Sequence, residues 1–455
     1  MVVIRRRLIF WLIKAYIKKS GKTLVFFFLL GLFIFFLTVF MSRFFDRIIP
    51  VFKKSSIGIV GAYTQDNLPL VIISKLSHGL TYVEKDGSIK PDLATGWKEQ
   101  DNGKTYIFYL KPNQHYNNGK NLTSDTISYN FSDVLIEKPD KSTIIFKLKD
   151  AYSPFLVTAS KPVFDKGYTG VGDYRIEDIK LNGSFVQTIT LVGVKNKFDT
   201  IKFQFYPTEE ALTIAFLLGE ITQAQGLTNS NFKDTDFGQF ANTQIRQNIS
   251  SSRLVTLFYN TSDSALSDKK VRLGLSYGLP DNFPHGKKAY LPYSPDSVYY
   301  NKDISVKRQD YSHAKLLLAS SNAASESADT TQIHLTIKTL KKYKSTADAV
   351  ASSWKKAGIN TEIEEVNSIP TNFQVFLGDF NLPKDPDQYS LWHSGQINNI
   401  ARYKNLRIDK LLEDGRKTTK FEDRQKIYSD FQKYLMEDTP ASFLYFPYEY
   451  DVIRK

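Results

Sequence analysis

Between Lys22 and Arg43 the chain reads TLVFFFLLGLFIFFLTVFMS, twenty residues without a charge. About 20 apolar residues at a rise of about 1.5 Å match the hydrocarbon core of a bilayer, so the stretch predicts one transmembrane helix over 23–42. Arg5, Arg6, Arg7, Lys14, Lys18, Lys19 and Lys22 precede it, while Arg43, Arg47, Lys53 and Lys54 follow. The larger basic cluster lies on the N-terminal side, which places residues 1–22 in the cytoplasm and residues 55–455 outside the cell membrane. A cleaved signal peptide is the competing reading. Signal peptides carry an apolar stretch of about 7–15 residues followed by a small-residue cleavage site; here the stretch is longer, and no such site precedes Arg43. The segment LIFWLIKAYIKK before it suits either an amphipathic helix along the inner leaflet or a solvated extension of the spanning helix.

That leader distorts the overall composition. Residues 1–54 hold eleven basic residues and one acidic one, so of the formal charge of +13 only +3 belongs to the rest of the chain. A nearly neutral body with no basic stripe interleaved with aromatics gives no basis for nucleic-acid binding. The absence of cysteine excludes disulfides, thiolate metal sites and Cys nucleophiles. Six histidines (His78, His115, His285, His313, His334, His393) are scattered without a close ligand spacing, which argues against a metal centre. No nucleophile elbow or glycine-rich dinucleotide fingerprint occurs, so no catalytic residue and no cofactor are expected. What is left is an aromatic-rich outward body of about 400 residues, suited to holding a ligand between lobes.

The body alternates β and α signals. VEKDGSIKPDLATGWKEQDNGKTYIFYLK (83–111) reads as hairpins around a short helical DLATGW. NLTSDTISYNFSDVL (121–135) reads as a helix capped by Thr123 or Ser124, and STIIFKLK (142–149) as a strand. Helical faces appear in TEEALTIAFLLGEI (208–221) and SDKKVRLGLSYGL (267–279), with the apolar strand SRLVTLFYN (252–260) before the latter. QIHLTIK, STADAVASSWKKAGI and NTEIEEV (332–366) form strand, helix, strand, the helix ending at Gly358. Residues 371–396 read as loop, 407–438 as two helices, and SSNAASESADTT (320–331) as a surface loop.

In this order the segments resemble the extracellular solute-binding protein family 5, the oligopeptide- and dipeptide-binding proteins of bacterial ABC importers. The stretch GLTYVEKDGSIKPDLATGWKEQDNGKTYIFYLKPNQHYNNGKNLTSDTISYNFSDV is similar to the family's signature segment; GVGDYRI, LGEI, FYNTSDSALSDKKVRLGLSYGL, WKKAGI, DPDQY, LWHS and EDRQKIYSDFQKYLMEDTPASFLYF extend the match. Thr222 replaces a usual Asp and Gly274 a usual Ala. The resemblance implies an α/β, two-lobed periplasmic-binding-protein-like fold of class II with an extra small α+β lobe. Its boundaries would be 55–78 with 155–255 and 440–455 for the first lobe, 79–154 for a reduced small lobe, and 256–439 for the second ligand-binding lobe. A chain stopping soon after Phe446 is short of the family's usual return into the first lobe.

The resemblance also implies a peptide ligand, an ABC permease as partner, a monomer, and an Asp that accepts the ligand's α-ammonium in the loop before the D-P segment. Asp379 in Gly378-Asp379 matches that position best, with Asp385 in reserve. Asp379 also suits a turn role. Trp392 offers a flat apolar wall with one donor, or a core filler. Asn260 suits either a ligand backbone contact or a hinge contact, and Asn398 and Tyr403 are further candidates. Lys341, Lys342 and Lys344 fall where some relatives place a carboxylate-binding arginine, although a lysine run is usually a solvated face. His115 and Trp97 are expected to support packing. A sensor or scaffold of the same fold without transport, and nickel complexes or oligosaccharides as ligands, are the alternatives.

Overall fold

The computed structural model describes residues 6–48, 53–233, 235–321 and 333–455. One long strand, Ala441–Arg454, organises the body. Its first residues pair with Arg253–Tyr259, its middle with Gly286–Lys288, and its last residues with both Gln223–Leu227 and Thr243–Ile249. On one side of it the strand order continues through Arg253–Tyr259, Val375–Asn381, Ile333–Leu340 and Ile359–Val366; on the other it continues through Gln223–Leu227, Lys53–Val60, Asp199–Tyr206, Phe185–Gly193 and Tyr174–Asn182. A single strand therefore belongs to both lobes. The strand runs on into the first lobe, where Val452 is buried with Leu212, Phe216, Ala224 and Phe237.

Each lobe has its own core. Helix Lys344–Lys356 lays Trp354 against Val255, Leu257, Val375 and Leu377, and the indole donates to Leu275 O at 2.9 Å. The opposite face of the same strands carries Phe258, Phe376 and Phe380 against Trp392 and the helices Leu406–Lys417 and Phe421–Asp438. Period-two alternation in the strand thus feeds two clusters at once. In the first lobe, helix Leu70–Leu76 and helix Glu209–Leu218 each pack in a separate cluster on the sheet. The helix Glu209–Leu218 is capped by the Thr208 hydroxyl, which accepts from Ala211 N, and ends at left-handed Gly219.

The small lobe is a four-stranded sheet in the order Ala94–Gln100, Thr105–Leu110, Thr143–Leu148, Val134–Asp140, with Phe108, Phe146 and Phe155 at its centre. Two expectations fail here. DLATGW is not helical: Ala94 begins a strand that pairs with Leu110 and sets Trp97 opposite Phe108. The alternating partner TYIFYL supplies a complete ladder, and Gly96 favours extension over helix. Residues 121–133 hold one short turn, Ser124–Thr126, where the Thr126 hydroxyl accepts from Thr123 N at 3.0 Å, and Val134 and Leu135 already belong to the strand Val134–Asp140. The chain then leaves the turn to stack Tyr129 on Phe131, ring centroids 4.8 Å apart, beside Phe146. Trp97 packs on this core, but His115 is exposed and its neighbour Tyr116 takes the buried position.

The N-terminal helix, Arg6–Ile48, is bent by 56° between the parts Lys14–Thr23 and Val25–Thr38. Among the described residues no single helix is long and apolar enough to cross a membrane, although these two parts meet the requirement together. Most of the surface loop expected at 320–331 lies outside the described residues.

Candidate ligand-binding site

Residues 371–396, expected as loop, contain the strand that carries Asp379. VFLGDFN pairs along its whole length with Arg253–Tyr259, Asp379 facing Val255. On its other edge the strand Ile333–Leu340 covers only Val375–Leu377. The last residues, Gly378 to Asn381, are thus left with an open edge. Asp379 sits there with its side chain 13% exposed.

Charges gather around it. Lys342 Nζ lies 2.9 Å from Asp379 Oδ1 and 4.7 Å from the centre of the Tyr343 ring. The Tyr343 phenol also bonds the carboxylate; burial, reinforced by the negative charge of Asp379, pushes its ionisation well above the usual range. Arg253 starts the neighbouring strand and pairs at 2.8 Å with Glu449 of the shared strand. The carboxylate therefore lies close to the strand that joins the lobes.

Asp379 lines a groove of about 830 Å³ on the second lobe, together with Phe373, Gln396, Ile397, Asn398 and Arg402. Asn398 is exposed there, and Ile397 is almost fully so. The groove's wall of amide, aliphatic and cationic groups is bordered by the strand's open edge at Asp379, whose carboxylate lies on the face that carries Tyr343; together they can hold an extended polar chain through its backbone and its ammonium.

The other candidates lie behind that wall. Trp392 is buried, and its indole donates to Gln388 Oε1 at 2.8 Å. Asn260 is buried; its amide donates to Phe373 O at 2.8 Å and its carbonyl accepts from Ser262 N at 3.1 Å, so it ties two groove-lining residues together. Tyr403 is buried and donates to Asp438 Oδ2 at 2.6 Å, burial and that carboxylate raising its phenol above its ordinary value. Asp385 makes a buried two-pronged pair with Arg424, at 2.5 and 3.0 Å. Of the six, then, the structure brings only Asp379 and Asn398 together in the groove. Lys342 was legible as one of a basic cluster, whereas Tyr343 and Arg253 were missed. Their proximity to Asp379 depends on cross-strand register, which no local motif encodes.

A second cavity, of about 980 Å³, lies between the small lobe and the second lobe. Arg416 projects there between Tyr152 and Tyr389, 5.2 and 4.4 Å from their ring centres, with Nε 3.2 Å from Asp387. Burial raises the Asp387 carboxyl above its ordinary value, and the Arg416 charge opposes that shift. Among the described residues no group of three or more His, Asp or Glu side chains is placed to hold a metal ion.

Residues 88–400 match the family model described as bacterial extracellular solute-binding proteins, family 5 Middle. The chain belongs to this family. As a family 5 protein it is a substrate-binding component of an ABC importer. It is 26% identical over 459 residues to the oligopeptide-binding protein AppA of Bacillus subtilis (strain 168), covering 85% of this chain and 83% of that one. Two solved structures share its fold. The ABC transporter substrate-binding protein CtaP of Listeria monocytogenes has a TM-score of 0.74 at 20% identity, covering 88% of this chain and 94% of that one. NikZ of Campylobacter jejuni, in complex with Ni(L-His), has a TM-score of 0.70 at 19% identity, over 88% and 94%.

Proposed function

We propose that this family 5 protein captures peptides outside the cell, closes its two lobes over them and presents them to an ABC permease while tethered by its N-terminal helix. The observation that carries the peptide reading is the Asp379 carboxylate, mostly buried at the open end of a strand and lining an 830 Å³ groove. A peptide's α-ammonium supplies the charge-assisted partner such a group favours. Lys342 occupies one carboxylate oxygen, but its own side chain is 43% exposed, so it can return to water when a ligand ammonium arrives. The relation to an oligopeptide-binding protein supports the same ligand class. Tethering is supported by the unpartnered apolar circumference of the N-terminal helix, where Val25 to Leu29, Phe33, Phe35 and Phe36 are all exposed.

Calorimetry with a free and an N-acetylated peptide, on wild type and Asp379→Asn, tests the reading. The substitution keeps the shape and removes the charge. It should weaken the free peptide by about 2–5 kcal/mol, mainly through faster release. Acetylation should cost the wild type a similar amount and the variant little more, because both changes delete one interaction. Additive losses, or a variant that still prefers the free N-terminus, would assign the ammonium to another partner.

A further inference from the structure

The first lobe has one end at which the tether enters, and that end is unusual in its surface. Lys53 starts its strand in register with Asp199, so the turn 194–198 stands beside the entry point. The helix Glu209–Leu218 runs back towards the same end, where Thr222 N donates to Ser56 O at 2.9 Å. The chain's last residues close the edge: Arg454 N bonds Thr222 O at 2.8 Å, Lys455 N bonds Asn242 O at 2.8 Å, and Phe240 precedes them. Three separate segments thus converge on one end of the sheet. Each exposes apolar side chains there: Val194 at 38%, Leu217 and Leu218 at 40% and 71%, and Phe240 at 40%. The exposed lysines Lys54, Lys195, Lys197 and Lys455 stand among them, against the acids Asp173, Asp199 and Glu220.

We infer that this end of the first lobe is a membrane-resting face, seated on the phospholipid headgroups of the bilayer that holds the N-terminal helix. The inference rests on the tethering reading above and extends it from an anchor to a fixed orientation. Only residues 49–52 separate the helix from Lys53, and five chain steps reach at most roughly 18 Å. Those four residues, Ile-Pro-Val-Phe, are themselves apolar and make a poor solvated spacer. Helical residues 43–48 add about 9 Å beyond the apolar stretch, so the connection keeps this end within roughly 27 Å of the bilayer core, nearer than the rest of the first lobe. Aliphatic and aromatic side chains enter the headgroup boundary while lysine stems reach the phosphates, the pattern of an interfacial surface. Lysines near an anionic leaflet add attraction that falls off within a Debye length, so it acts only on a face already held this close. With one lobe seated, closure would move the other lobe.

The chain has no cysteine, so single labels can be placed without a background. Full-length protein carrying an environment-sensitive fluorophore at Leu218→Cys or Phe240→Cys would be reconstituted into nanodiscs of anionic phospholipid with headgroup spin-labelled lipid. Ser184→Cys, exposed on the hairpin turn at the opposite end of the sheet, is the control. Quenching at 218 and 240 at least threefold greater than at 184 is expected, falling by half or more in the triple variant Lys54→Glu, Lys195→Glu, Lys197→Glu. Carbonate washing of membranes from cells producing the full-length protein reads the anchor independently. Protein that stays in the membrane with equal quenching at all three sites would overturn the resting face alone, whereas protein washed off would overturn the tether and the face together. Quenching that appears at 218 and 240 only when the permease is co-reconstituted would overturn lipid as the partner in favour of protein.

Discussion

At Lys307 burial and charge are opposed. Its ammonium donates to Met436 O and Thr439 Oγ1, both at 2.5 Å, at the C-terminal end of helix Phe421–Asp438. Burial, aided by the nearby Lys269 and Arg272 charges, lowers its ionisation to about 7, while Asp438 and Glu437 pull the other way. In the unfolded chain the same amine titrates near 10.5. Between these values the unfolded state binds more protons, so stability should rise with pH from about 7 upward, by at most about 1.4 kcal/mol per unit. Below 7 both states are protonated and the folded state carries the full cost of the buried charge. Lys288, lowered by burial to about 8, adds a rise of the same sign. Thermal unfolding at pH 7, 8 and 9 should therefore show an increasing midpoint in wild type and a flatter one in Lys307→Met. Equal slopes in the two proteins would mean that the ammonium is better solvated than its surroundings imply.

At the scale of elements, the turn GVGDYRI shows why two glycines are needed. Gly172 N bonds Leu76 O at 2.9 Å, and a Cβ on Gly172 would run into the carbonyl of Lys75, as one on Gly170 would into that of Leu76. The backbone turns directly over the end of helix Leu70–Leu76, and only hydrogen fits. Gly172→Ala should cost about 1–3 kcal/mol in denaturant titration. Gly96→Ala, in a strand where a Cβ meets nothing, should be neutral or slightly stabilising. Equal effects would mean that the turn relaxes. The same contrast explains what the sequence could disclose. The elements between 333 and 366, the helix 209–218 and the pair 406–417 and 421–438 were legible, because each carries its period and its stop signals locally. DLATGW was misread because a cross-strand partner, TYIFYL, decides its state. Asp379 could be picked out from its neighbours in sequence, but Tyr343 and Arg253 could not, since tertiary register alone brings them near. Likewise nothing local in ASFLYFPYEYDVIR announces one strand serving two sheets.

That shared strand sets the behaviour expected of the whole molecule. Ala441–Arg454 crosses from the sheet holding Asp379 to the sheet holding Lys53–Val60, with a register shift between Val255 and Thr256 on its partner. A strand kept in both ladders lets each lobe move as a body while the crossing residues absorb the change. On the proposed function, ligand held by Asp379 on one lobe would favour closure only through its greater affinity for the closed form. If the free protein is open about 99 times in 100, reversing that ratio requires roughly a 10⁴-fold preference. Small-angle neutron scattering with the detergent contrast-matched would read this in the full chain. A compact body of about 400 residues has a radius of gyration near 21 Å; the 43-residue N-terminal helix raises the value of the full chain above that, so the expected signal is a fall in radius as peptide is added, with the midpoint at the calorimetric Kd. Asp379→Asn should reach the same compact end point at a higher peptide concentration, because it changes ligand affinity and leaves the crossing strand intact. A radius unchanged at saturating peptide in wild type would show that binding occurs without closure, and the permease would then have to recognise something other than the closed form.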